Sequence, residues 1–200
     1  VAPEKKEEAR FLVRNALRSV DFYGAERMVR INQLPMGLDD LNYCVPHGVN
    51  LILIPKCEHA DQVKQVDTGI SELLHEKNKS IYLMPIIESA AGVMNANDIA
   101  RASENVVALA IGLEDYTADI GVQRTPEGRE SFFARCMVVN AARAAGGTAN
   151  LPVALYPVIA SPRTHPATAF ASAEAGPAGA VEQEGLVHEA PLQLALAEVG

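Results

Sequence analysis

Four apolar runs in this chain each lead into a polar residue, and the endings recur at nearly even steps. Arg27-Met28-Val29 runs into Arg30, and Val49 to Pro55 runs into Lys56. Ile81 to Ile87 runs into Glu88, and Val106 to Gly112 is followed by Glu114 and Asp115. The steps are 26, 32 and 27 residues (30 to 56, 56 to 88, 88 to 115). Each step is the length of a strand, a turn, a helix and a turn. Functional groups at the carboxyl ends of successive parallel strands, one per βα unit, are how a (β/α)8 barrel builds a site.

The segments between the runs support that reading. Residues 3–20 predict a helix with Pro3 near its first position and Glu4, Glu7 and Glu8 in its early turns, where the dipole favours acids. Strands are expected at 27–32, 49–55, 81–87 and 106–112, the one at 49–55 continuous and apolar as a strand buried on both faces should be. A short helix is expected over 37–44. A longer one spans 58–77, where Ala60, Val63, Val66, Ile70, Leu73 and Leu74 recur at threes and fours. Helices are also expected at 92–104 and 127–145, the latter with Phe132, Phe133, Cys136, Val139 and Ala142 inward. The stretch from Tyr116 through Gly121 to Pro126 reads as a loop.

Residues 1–150 therefore read as a partial α/β barrel of about four to five βα units. Residues 151–200 read as a divergent tail rich in Ala, Pro and Gly. Val153 to Ile159 offers one further strand despite Pro157, and 160–190 is expected to be poorly ordered. A helix with no strand before it suggests that Val1 lies inside a larger protein.

Composition narrows the function. The net charge is −8, and no basic cluster favours nucleic acid. No stretch approaches ~20 apolar residues, so no membrane span is expected, and no signal-peptide pattern is present. Cys44, Cys57 and Cys136 are odd in number and lack metal-type spacing, which points to a reducing, cytoplasmic setting.

Glu88 and Asp115 are the foremost chemical pair. Adjacent parallel strands lie ~4.8 Å apart, so carboxylates at their ends can share a cation. Two carboxylates with open positions suit Mg²⁺. The alternative is that each caps a helix or pairs with Lys or Arg. Adjacent strand-end residues point opposite ways, so only one of Glu114 and Asp115 should face the site. Asp119 either caps the loop or is solvated. Arg30 faces the site if Val29 packs outward, and its guanidinium then fits a substrate carboxylate or pairs with Glu88 or Asp115. Lys56 is open between Schiff-base nucleophile, electrostatic anchor and surface lysine. His59 alone of the histidines lies near the active face, at a helix start.

The motifs carry a resemblance. Ile87-Glu88-Ser89-Ala90-Ala91-Gly92-Val93-Met94-Asn95-Ala96, then Leu109 through Gly112-Leu113-Glu114-Asp115-Tyr116-Thr117-Ala118-Asp119, resemble the citrate lyase β-subunit group of the HpcH/HpaI aldolase superfamily. Phe133-Ala134-Arg135, Ala141 to Gly146, Val29-Arg30-Ile31-Asn32 and Pro55-Lys56 extend the likeness over residues 3–146. The resemblance implies a (β/α)8 TIM barrel and a Mg²⁺-dependent lyase that cleaves a carbon–carbon bond in a hydroxyacyl thioester. It implies Glu88 and Asp115 as metal ligands, Arg30 as the substrate-carboxylate anchor and Gly112 at a close backbone approach to substrate. Lys56 falls at a family position near the site with no role fixed; the catalytic base is unknown.

The implied reaction splits a citryl-thioester, on acyl-carrier protein or CoA, into oxaloacetate and an acetyl-thioester. Malyl- or citramalyl-CoA lyase, or a hydroxy-keto-acid aldolase, are the enzyme alternatives; a non-catalytic fragment is the third. Partners implied are the acyl-thioester carrier and either further copies of the chain or citrate lyase complex subunits. The family's first two strands would precede Val1. Its closing pattern is not found after Gly146, as a frame shift near Gly147 would produce, and the chain alone is expected to lack turnover.

Overall fold

The computed structural model describes residues 3–74 and 80–146, together with the backbone of Val153–Leu155 and Leu196–Glu198. The tail region 160–190 and the proposed break near Gly147 lie outside the described residues.

Strands β1 (Met28–Arg30), β2 (Leu51–Ile54), β3 (Tyr82–Ile87), β4 (Leu109–Ile111), β5 (Val153–Leu155) and β6 (Leu196–Glu198) form one parallel sheet in the order β5-β4-β3-β2-β1-β6. The first five are neighbours in sequence order, each joined to the next through helix, which is the βα repeat of a barrel wall. Every spacing expected from the polar endings is met, and the further strand at Val153 is present. β6, which pairs with β1 in register Arg30↔Glu198, was not expected.

The helices are α1 (Lys6–Ser19), α2 (Gly37–Cys44), α3 (Ala60–Leu73), α4 (Ala90–Met94), α5 (Ala96–Ala100), α6 (Leu113–Asp119) and α7 (Phe132–Ala145). Four of them correct the sequence reading, at three places. The helix expected at 92–104 is two short ones that break at Asn95. The residues after β4, expected as loop from Tyr116, are helix α6, which buries Tyr116 and Thr117. In α7 the expected inward face is wrong for four of its five residues. Phe132, Phe133, Cys136 and Val139 are exposed, while Ala134, Val138, Ala141 and Ala142 are buried. α7 packs closely on α5, and only small side chains fit that contact.

Strand alternation divides the core in two. Val29, Ile52, Ile54, Leu83, Ile87, Leu109 and Ile111 pack against the helices. Met28, Leu51, Leu53, Met84, Ile86 and Ala108 form a second, smaller cluster on the opposite face. Arg30 continues the parity of Met28, and Glu88 that of Met84 and Ile86. Val29 is fully buried on the helix side, which is the condition under which Arg30 faces the site.

Candidate active site

The carboxyl ends of β1 to β4 bring Arg30, Lys56, Glu88 and Asp115 into one electrostatic neighbourhood. Glu88 directly follows β3 and is half-buried. Its Oε2 accepts a hydrogen bond from the Lys56 main-chain N–H at 2.9 Å. Its pKa is raised above the ordinary value, first by burial and then by the nearby Asp115 carboxylate. The Lys56 N–H, Arg30 and the Lys56 ammonium oppose the rise.

Asp115 lies in the first turn of α6 and is half exposed; its Oδ2 stands 3.3 Å from Lys56 Nζ. The structure thus gives Asp115 a lysine counter-ion. Glu114 points away and pairs with Arg124. The expected divergence of these neighbours holds, but its cause is helical rotation within α6 and not strand alternation.

Gly112 lies between β4 and α6, against the Glu88 side chain. A Cβ there would meet Glu88 Oε1 at 2.5 Å and Cγ at 2.7 Å. The structure thus shows the Gly112 backbone in close approach to the Glu88 side chain.

The surrounding loops are pinned by hydrogen bonds, of which sequence reading offered only an Asp119 cap, as one of two alternatives. Asp119 Oδ2 accepts from the Ala90 N–H at 2.8 Å, so α6 caps the start of α4. Ser89 Oγ donates to Glu58 at 2.7 Å and accepts from the Gly92 N–H at 3.1 Å. Gln62 Oε1 accepts from the N–H groups of Glu58 and His59. His59 is therefore the residue before α3, its ring beside Asn95 Nδ2 at 3.2 Å, and makes no contact with Glu88 or Asp115 among the hydrogen bonds of the described residues.

Two residues past β1, at Asn32, the chain meets Asp40 of α2, which is fully buried. Its Oδ2 accepts from both the main-chain and side-chain N–H of Asn32, at 2.7 and 2.8 Å. Its Oδ1 accepts from Arg10 Nε at 2.7 Å. The one available signal was an acid on the apolar face of a short helix, beside Leu41 and Cys44.

Among the described residues no group of three His, Cys, Asp or Glu side chains forms a ready-made metal cage. Mg²⁺ does not require one: it is held by one or two carboxylates and keeps waters and substrate oxygens as its remaining ligands. The mutual repulsion of Glu88 and Asp115 is the donor chemistry such a cation relieves, so the residues present fit it.

A family model described as HpcH/HpaI aldolase/citrate lyase matches residues 1–179. The chain belongs to this family. Citrate lyase subunit beta from Leuconostoc mesenteroides subsp. cremoris is 38% identical over 151 residues, covering 73% of this chain and 50% of that protein. The L-malyl-CoA/beta-methylmalyl-CoA lyase of Rhodobacter capsulatus is 34% identical over 142 residues, 66% of this chain and 45% of that protein. Among solved structures, a citrate lyase beta subunit from Mycobacterium tuberculosis, complexed with oxaloacetate and magnesium, has a TM-score of 0.56 at 24% identity, covering 78% of this chain and 63% of that one. That likeness gives the HpcH/HpaI chain the fold of a TIM-barrel-like α/β protein. The chain spans about half the length of the curated relatives it matches.

Proposed function

We propose that the protein to which this chain belongs is a divalent-metal-dependent carbon–carbon lyase for a hydroxyacyl thioester, with citryl-thioester as the first candidate substrate. The observation that carries it is the pairing of Glu88 and Asp115 beside Arg30 at one end of the sheet, in a chain whose curated relatives are named citrate lyase subunit beta. Glu88 and Asp115 would hold Mg²⁺ through carboxylate oxygens. A bound Mg²⁺ would supply Lewis-acid stabilisation of charge on substrate oxygen.

The chain's own residues do the rest. Arg30 offers a planar fork to a substrate carboxylate, bidentate where a lysine would be a point charge. Lys56 holds the Glu88 carboxylate in place from its main chain. Cleavage moves the proton from the substrate hydroxyl, breaks the adjacent carbon–carbon bond to leave a keto acid, and returns a proton to the thioester enolate. The thioester carrier, acyl-carrier protein or CoA, would bind above the same face, and a cytoplasmic setting and a homo-oligomer or citrate lyase complex go with this reading. Malyl-CoA cleavage is the second reading, supported by the Rhodobacter relative.

The test is a panel of citryl-, malyl- and citramalyl-thioesters on the full-length protein, with Mg²⁺ and then with chelator. Turnover that survives chelation, or that is unchanged in both Glu88→Ala and Asp115→Ala, overturns the proposal.

A further inference from the structure

Lys56 touches both candidate metal ligands through different parts of itself. Its main-chain N–H donates to Glu88 Oε2 at 2.9 Å, and its Nζ lies 3.3 Å from Asp115 Oδ2. Its backbone makes this possible. Lys56 has φ of 47°, the left-handed region that residues with a Cβ seldom occupy. Pro55 ahead of it leaves β2, and Cys57 behind it donates its N–H to Ile86 O at 3.1 Å, on β3. The reversal at Lys56 is thereby fixed at both sides, with its amide turned to the end of β3 and its side chain to the first turn of α6. Non-glycine residues held in sparsely populated backbone regions cluster at functional sites.

The ammonium is not buried. Lys56 and Asp115 side chains are each 50% exposed, so their pair is weak and labile. It nevertheless offsets part of the repulsion between that carboxylate and Glu88. Resting on the metal-site reading above, we infer that Lys56 is a positioning residue that serves as resident counter-ion of the metal-free site. Its ammonium occupies the Asp115 carboxylate while the site is metal-free and gives way when a divalent cation arrives. The main-chain bond to Glu88 needs no such release and persists through the exchange.

This makes Lys56 a competitor of the metal, and the consequence is measurable without turnover. The full-length protein is titrated with MgCl2 by calorimetry as wild type, Lys56→Met, Lys56→Arg and Glu88→Gln/Asp115→Asn. Met keeps the Cβ, the apolar stem and the N–H, and removes only the charge. Lys56→Met should bind Mg²⁺ roughly three- to fivefold more tightly, the upper part of the range of an exposed ion pair. It should also show a larger rise in Tm on Mg²⁺ addition than wild type. Lys56→Arg, which keeps the charge, should bind as wild type does.

Unchanged or weaker binding by Lys56→Met, in a variant with native circular dichroism, overturns the inference. So does equal tightening by Met and Arg, which would make the effect steric. A Glu88→Gln/Asp115→Asn variant that binds as wild type overturns the metal site itself. Loss of binding there with an unmoved Lys56→Met removes only the role of Lys56.

Discussion

Gly112 and Glu88 interlock: the glycine's missing side chain is the space through which the Glu88 carboxylate passes on its way from β3 toward β4. A methyl group there would stand 2.5 Å from Oε1, closer than real carbon–oxygen contacts allow. Gly112→Ala should therefore displace the Glu88 carboxylate and weaken Mg²⁺ binding at least tenfold while leaving the fold intact, because the atoms met belong to a flexible side chain able to swing aside. Calorimetry paired with a thermal melt checks this. Wild-type affinity in the alanine variant would show that Glu88 does not need its present path.

Asp40 should be the costliest polar side chain to remove near the site. It satisfies two Asn32 donors and Arg10 from a fully buried position. Asp40→Ala removes three hydrogen bonds at once from a buried position and is expected to destabilise by ~3 kcal/mol, the range for breaking a buried pair. Urea unfolding gives the value. A change below about 0.5 kcal/mol, the scale of a neutral surface substitution, would mean that water replaces the carboxylate.

Thiol chemistry should separate the three cysteines. Cys44 and Cys57 are buried, and burial pushes each thiol up to about 12. Cys136 is exposed on α7. The thiolate is the reactive form, so a disulfide reagent at pH 8 should titrate one thiol quickly and two only as the protein unfolds. Two or more fast thiols in the native protein would contradict the packing around α2 or the β2 loop.

Glu88 sets a pH dependence of stability in the metal-free protein. Burial raises its folded-state pKa above the ordinary 4.5. The folded protein then holds that proton more tightly than the unfolded chain does. Its contribution is most favourable below the unfolded value and is lost as pH rises through the folded one. Glu88→Gln has no proton to lose. In chelator, melts of the two proteins from acid to neutral pH should show the variant gaining on wild type as pH rises. Mg²⁺ at neutral pH should reverse the order. A difference that does not change with pH would place the Glu88 pKa at its ordinary value.

The repeat of polar endings made the sheet legible, because buried parallel strands are apolar runs of fixed length and their carboxyl ends are where polarity returns. It gave Arg30, Lys56, Glu88 and Asp115 as neighbours without any long-range information. Helix α6 was hidden because seven residues are too few for a helical period to stand out, and its acids look like loop. The face of α7 was misread because large apolar residues usually face inward, yet the tight contact with α5 admits only alanines and a valine. The twofold grip of Lys56 had no signature, since a left-handed backbone at a lysine is dictated by the flanking strands and not by the residue. Asp40 was hidden for a related reason: its partners Arg10 and Asn32 come from two other elements.

The charged centre and its props, from Arg10 and Arg30 to Asp119, are drawn from one unbroken stretch of chain. Each strand end needs only the next one along to complete its share. Such a centre is inheritable as a block. Exchanging residues 5–119 between two family members would carry the cation and carboxylate chemistry across intact, and any change in which thioester is accepted would have to be sought in the sequence that was left behind.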